Sequence, residues 1–441
     1  METYTEQYNP APVAQADRIK TVDIIRGVAL LGILLMNIPG FGMNWDGWYH
    51  ILHGSHDTKD YNAMAIISIF FEGTMRGLFS MLFGVGMILF TQNKKELPGG
   101  PTVAEYYYRR LLWLVLFGIF NAFILLWFGD ILYTYGLCGM ALYAFRKTNP
   151  KWLLVLGFVC MGVNMLKEQL RWNETRDLRR NYVEALHAKK ENKELTGEQT
   201  AAIAQWPERE DQKPDTAFMN RNLRTMQSGS YGTIFTYWIP KNVWDETSAV
   251  YNNWFWDGLA MMFVGMALFG WGFFSNRLST STYVMTLLIG YGIGIPVSWI
   301  YFKMGMVTPA AGYAHYVDMF RVDHQMLYDI RRVLLSVGHA SLILLIFRSK
   351  IIPWLMKALA NVGQMAFSNY LMQSIICTWF FFGYGFKYYG KLHFYQLYYV
   401  VFSVWLFQLI FSSIWLKYFR FGPFEWVWRS LTYWKKQPMK R

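Results

Sequence analysis

Ten apolar stretches of about membrane-crossing length constrain this chain more than anything else in its sequence. They fall at roughly 24–43, 66–91, 111–128, 130–146, 151–167, 255–274, 283–302, 330–347, 363–386 and 395–418. A hydrocarbon core about 30 Å thick takes about 20 mostly apolar residues in helical form. In lipid, a helix satisfies every backbone donor and acceptor within its own segment. The expected fold is therefore all-α: a polytopic membrane helix bundle with about ten transmembrane helices. The third and fourth stretches share a tight turn at Phe128-Gly129-Asp130 and read as one hairpin. Composition agrees, with 16% charged and 54% hydrophobic residues, where soluble domains carry roughly 25% charged.

Loop charge gives the expected orientation. Arg18, Lys20, Lys94, Lys95, Arg109 and Arg110 fall on the side of the N-terminus. So do Arg146, Lys147, Lys151, Arg348, Lys350, Lys357 and a C-terminal tail ending Lys440-Arg441. The opposite short loops hold only Lys59, Lys387 and Lys391. Both termini are expected in the cytoplasm, and the net charge of +13 reads as membrane topology, with no nucleic-acid partner. No cleavable signal peptide is expected, because the first apolar run follows a polar segment and lacks a small-x-small site. Cys138, Cys160 and Cys377 lie in separate spans and read as packing residues.

One polar insertion divides the membrane part. The expected organisation is an N-terminal bundle of about five spans over 1–167 and an extracytoplasmic helical or interfacial insertion over 168–253. A second bundle of about five spans covers 254–418, and an interfacial helix and tail cover 419–441. Thr196-Gly-Glu-Gln199 has capping-box spacing, and Tyr237, Trp238, Trp244 and Trp254 suit a membrane interface. A weak echo between Val85-Gly-Met-Ile-Leu-Phe90 and Val264-Gly-Met-Ala-Leu-Phe269 suggests a repeat.

Ionisable and amide groups inside spans are costly in lipid and must face partners or water. Asp23, Arg26 and Asn37 share one face of the first span, and Glu72, Arg76 and Ser80 are spaced i, i+4, i+8 on the second. At that spacing Glu72 and Arg76 are able to pair. Arg332, Ser336 and His339 share a face of the eighth span, Asn369 and Gln373 are one turn apart in the ninth, and Asn121 and Asp130 flank the hairpin turn. Each alone reads as helix–helix hydrogen bonding. Together, at similar depth, they point to a hydrated cavity holding Glu72, Arg76, Asp130, Arg332 and His339. No phosphate loop, dinucleotide fingerprint, zinc-protease pair or nucleophile elbow is present, and no metal is expected.

Five blocks carry a family likeness. They are Arg18-Ile-Lys-Thr-Val-Asp23-Ile-Ile-Arg26-Gly27 with Asn37, Arg76-Gly-Leu-Phe79-Ser-Met-Leu-Phe83-Gly84, Gly129-Asp130-Ile-Leu-Tyr133-Thr-Tyr135, Asn369-Tyr370-Leu-Met-Gln373-Ser374, and Tyr418-Phe-Arg420-Phe-Gly422-Pro423-Phe-Glu425-Trp426-Val-Trp428-Arg429. In this order they resemble the bacterial YeiB-like family, which implies residence in the cytoplasmic (inner) membrane. By resemblance that family is grouped with membrane acyltransferases such as heparan glucosaminide acetyltransferase. The resemblance implies transfer from cytosolic acyl-CoA, as donor substrate, to an extracytoplasmic glycan, lipid or small-molecule acceptor. One departure matters: relatives often carry His in the slot of Asn121, which is unable to take a proton.

An acyltransferase needs a base and donors for an oxyanion. His339 is the base expected by elimination, since it is the histidine placed well inside a span. Arg76 and Arg332 would stabilise negative charge, and Asn37, Glu72, Asn121, Asp130, Asn369 and Gln373 would complete the substrate cavity. Arg26, Arg109 and Arg110 would meet the CoA phosphates. The alternative is a transporter or flippase for an anionic or amphiphilic solute using the same cavity. A non-catalytic scaffold is the third reading. Membrane lipid, the acceptor and a second copy of the chain in a homodimer are the expected partners.

Overall fold

Helix follows helix along the chain, as apolar segments in lipid require. The computed structural model describes residues 19–92, 102–210 and 215–441; Arg18, Lys94 and Lys95 of the loop-charge pattern lie outside them. No strand occurs among the described residues beyond one isolated bridge between Phe419 and Lys440. α1 (Lys20–Gly42) is followed by α2 (Trp45–His53), α3 (Lys59–Phe70) and α4 (Thr74–Gln92). The hairpin is α5 (Val103–Ile119), a π turn over Phe120–Ile124, and α6 (Leu132–Leu142). α7 (Pro150–Lys190) runs 41 residues, about 60 Å, far more than a bilayer core.

Beyond it come α8 (Gly197–Glu210), α9 (Thr216–Ser228) and α10 (Tyr231–Trp244). α10 passes through a π segment, Asp245–Trp254, directly into α11 (Phe255–Gly270). From Tyr231 onward the insertion is thus continuous helix into α11. The remainder is α12 (Thr280–Gly305), α13 (Val307–Ala311), α14 (Tyr313–Met319), α15 (Tyr328–Ser349), α16 (Pro353–Gln364), α17 (Ala366–Phe381), α18 (Phe394–Tyr418) and α19 (Pro423–Tyr433).

Seven helices among the described residues are long and apolar enough to cross a membrane. The chain is a polytopic helical membrane protein. Three of the ten expected spans, at α6, α11 and α17, are helices of only 11 to 16 residues. Each presents a largely buried surface, because neighbouring helices rather than lipid surround it.

The two halves of the chain interleave. α1 packs on α16, α17 and α18, and α4 packs on α11. Glycines permit the closest approaches: a Cβ on Gly265 would lie 2.1 Å from the Met81 carbonyl oxygen, and one on Gly27 would lie 2.1 Å from that of Leu359. The helices that carry the sequence echo, α4 and α11, are therefore in direct contact at Met81 and Gly265. A second, smaller core of Trp172, Trp206, Tyr316 and Val317 joins α7, α8 and α14 within the insertion end. At the other end, Lys20, Arg348, Lys350, Lys357, Lys417 and Arg441 surround a recess of ≈ 1100 Å³. This is the basic end of the molecule.

Candidate functional site

The site begins at a break in a helix. Between α3 and α4 the chain turns through Phe71, Glu72 and Gly73, and Gly73 takes φ +72°, a conformation open to glycine. Glu72 is therefore off the helix that carries Arg76, and the expected i, i+4 pair does not form. Glu72 instead meets Arg331 at 3.3 Å. Arg331 has no exposure, donates to the Ser68 and Glu72 carbonyls and the Ser298 hydroxyl, and lies 3.9 Å from the Tyr301 ring centroid.

Next to this, Asp257 at the start of α11 faces two guanidiniums. Arg76 reaches it at 3.2 Å, and Arg332 bonds its other oxygen. Arg332 also holds Asp329 at 2.6 Å, and Arg76 donates to the Tyr328 hydroxyl at 3.1 Å. Three arginines (Arg76, Arg331, Arg332) thus face three carboxylates (Glu72, Asp257, Asp329). Opposite charges held this close offset the desolvation that would expel each alone.

Glu72, Arg76, Asn37, Asp130, Thr134 and Asp257 line a cavity of ≈ 280 Å³. Arg332 joins it only through Asp257. Asp130, 1% exposed, accepts from Asn121 Nδ2 at 2.7 Å and from the Tyr133 amide at 2.9 Å. The Tyr370 hydroxyl lies 3.5 Å from its Oδ1. The Arg76 Nε and the Thr134 hydroxyl are buried without a hydrogen-bond partner.

A second cavity, ≈ 170 Å³, is lined by Arg26, Arg110, Arg429, Gln364, Tyr370 and Tyr135 among others. Tyr135 lines both cavities. Its hydroxyl shares a 2.5 Å hydrogen bond with Ser80. Two chambers therefore meet at one tyrosine, the first on the side of Glu72 and Asn37, the second on the side of Arg26 and Arg110.

Several expected site residues lie elsewhere. His339 lines neither chamber. Its Nε2 faces the Phe70 carbonyl at 2.9 Å and its Nδ1 faces the Tyr291 hydroxyl at 2.7 Å. A carbonyl only accepts, so Nε2 carries the proton and Nδ1 accepts from Tyr291. No lone pair of the ring remains for catalysis, and the residue ties α15 to α3 and α12. Asn369 bonds the Val362 carbonyl and Ser412, while Gln373 bonds Gln408, so they tie α17 to α16 and α18 rather than line either chamber. Arg109 donates to the Thr432 carbonyl beside the Trp434 ring, away from the second chamber.

Glu425 reaches away from its own helix. Its carboxylate accepts from the Phe367 amide at 2.8 Å, the Ser368 amide at 3.1 Å and the Ser368 hydroxyl. It caps the start of α17 from another helix. Tyr135, Tyr370 and Arg429 belong to the site although the residue faces alone did not single them out; all three sit inside the blocks that carry the family likeness. Arg331 gave no signal beyond its adjacency to Arg332. Glu246, 6% exposed in the π segment, is a further buried carboxyl. Burial first, and then the charges of Asp130 and Asp245, push it up to about 9.

Residues 268–435 match the family described as "Protein of unknown function (DUF418)". The chain is similar to YxaH of Bacillus subtilis, 27% identical over 440 residues, covering 98% of both chains. It is similar to YeiB of Escherichia coli, 29% identical over 94% of this chain and 96% of that one. The comparisons support a YeiB-like family. Both relatives are described as uncharacterised proteins, as is a third, from Bacillus acidopullulyticus, 24% identical over 97% of each chain. No solved structure matches. The YeiB-like blocks account for much of the wall between the chambers: Ser80, Asp130, Tyr135 and Tyr370 all fall within them.

Proposed function

We propose that this protein transfers an acyl group across the bacterial cytoplasmic membrane, from cytosolic acyl-CoA to an acceptor bound on the far side. The observation that carries this reading is the pair of chambers sharing Tyr135. Loop charge supports a cytoplasmic place for the basic end and both termini. The second chamber would then take the donor, with Arg26, Arg110 and Arg429 toward its phosphates, since guanidinium suits phosphate. The first would take a glycan, lipid or small-molecule acceptor.

Asp130 replaces His339 as the base. It sits in the first chamber's wall, is fixed by Asn121 and the Tyr133 amide, and touches Tyr370 of the second chamber only at 3.5 Å. An acceptor hydroxyl would give its proton to Asp130 as its oxygen bonds the thioester carbonyl. The carbon–sulfur bond then breaks, and CoA leaves as the thiol with that proton. The unpartnered Arg76 Nε is a donor available to the oxyanion.

Purified protein in proteoliposomes, given labelled acyl-CoA on the basic side, tests this through release of CoA thiol. Asp130→Asn should lower the rate by about 100-fold or more, the usual scale for a general base, while His339→Ala keeps it. Thiol release unaffected by Asp130→Asn would remove the base. Movement of labelled solute without thiol release would favour a transporter in which the Tyr135–Ser80 bond is the gate.

A further inference from the structure

A different group of buried oxygens lies where the tip of the α5–α6 hairpin meets the helix running from α10 into α11. Asn121 donates its Nδ2 to Asp130 Oδ1 at 2.7 Å, and Asn242 donates its Nδ2 to the Ala122 carbonyl at 2.7 Å. Both acceptors lack a proton to give, so the orientation of each amide is fixed. Each Oδ1 is left as an acceptor in the seam. Neither finds a donor, and nor does either oxygen of Glu246, one turn beyond Asn242. The three side chains are 0%, 1% and 6% exposed. Buried polar atoms without partners are rare in native proteins and call for a cause.

Charge points the same way. Glu246 feels Asp130 across the seam, and no cationic side chain is within ion-pair distance of either among the described residues. The nearby Lys241 is held by Asp245 at 2.5 Å and lies over the Phe128 ring. Four acceptor groups, two of them carboxyls, with no nearby cation make a poor site for any donor-poor ligand. They make a good one for a hard cation, which takes carboxylate and amide oxygens alike. The π segment at Phe120–Ile124 packs on α10, and the one at Asp245–Trp254 packs on α6; such segments often mark functional positions.

We infer that the Glu246 carboxylate and the Asn121 and Asn242 amide oxygens bind one hard cation, calcium or sodium, with Asp130 as the second balancing charge. Asp130 keeps its own bonds to Asn121 and Tyr133, so the cation stands behind the wall of the first chamber. No motif of acidic residues announces the site, because amides supply half of its oxygen-bearing side chains. Among the described residues no group of three His, Cys, Asp or Glu is placed to hold a metal.

The test is cation binding by the full-length protein in detergent after treatment with chelator. Calcium chloride alone is titrated by calorimetry, and sodium chloride is compared with choline chloride at equal ionic strength in thermal unfolding. One saturable site per chain for one of these cations, with an upward shift in unfolding temperature, is expected. Glu246→Gln should weaken binding by about tenfold or more, the scale on which losing a supporting group acts. Asn242→Asp, which adds a charge while keeping an oxygen, should retain or tighten it. The assignment fails if neither cation binds or stabilises the protein, or if Glu246→Gln binds unchanged. Stability that rises only with falling pH, indifferent to both cations, would also overturn it, because protons would then satisfy the carboxyls.

Discussion

At the scale of single residues, two buried arginines and a half-buried third divide the work of keeping acids in the membrane. Arg332 has no exposure and holds both Asp257 and Asp329. Arg332→Ala strands Asp329 and leaves Asp257 to Arg76 alone, and breaking a buried pair in this way costs about 3–5 kcal/mol. Arg109→Ala removes one bond to the Thr432 carbonyl and contact with the Trp434 ring and should stay within about 1 kcal/mol. Thermal unfolding of the purified variants distinguishes them; equal losses would contradict the assignment. The cost of burial was legible in the sequence: Glu72, Arg76, Asp130 and Arg332 do lie together or one partner apart. The pairings were not. Arg331 points about 100° away from Arg332 on the same helix, and its partners Ser68, Glu72 and Ser298 come from other helices. His339 misled for a related reason. A histidine inside a span reads as a base until Tyr291, 48 residues away, is seen to occupy its lone pair.

At the scale of elements, the break at Gly73 decides what the first chamber contains. Apolar periodicity runs smoothly across 66–91, so a single span was expected there, with Glu72 and Arg76 on one stripe. The left-handed turn moves Glu72 to Arg331 and frees Arg76 for Asp257. A Cβ at residue 73 would sit 2.5 Å from the Tyr328 hydroxyl, which accepts from Arg76. Gly73→Ala should therefore cost about 1–2 kcal/mol from the backbone alone, and disturb the Arg76–Tyr328 bond as well. A variant as stable and as active as the parent would show that the turn is not needed. Helix starts were more legible. Gly422-Pro423 begins α19 as expected of proline in a first turn, and Thr196 with Gln199 forms the capping box of α8. The cap of α17 was not legible, since Glu425 reaches it from a separate helix. Glu425→Ala should cost about 1–2 kcal/mol, as lost caps do, and Glu425→Gln less, because one amide oxygen still accepts.

At the scale of the whole molecule, apolar length gave the class of fold while packing gave its proportions. α6, α11 and α17 are shorter than their apolar stretches suggested because they sit inside the bundle, where other helices replace lipid. The 41-residue α7 could not be read from hydropathy, since its outer part is charged and packs on α8 and α14. Orientation is open to direct measurement. A cysteine at Thr196 in the insertion should label from outside intact cells, and one at Lys436 only after lysis; the reverse pattern would invert the assignment of the basic end. Truncation after Phe421 should lower the yield of folded protein, since it removes α19, its stacking on Arg110 and the cap on α17. That cap has a consequence in time. Fifty-eight residues separate Phe367 from Glu425, and at about 5–20 residues per second of synthesis the ribosome needs roughly 3–12 s to deliver the second after the first. Throughout that interval α17 has left the exit tunnel, or is leaving it, with its leading amides still awaiting their acceptor. A helix made later closes one made earlier, so a nascent chain stalled before Glu425 emerges would carry an open α17 start for membrane quality control to find.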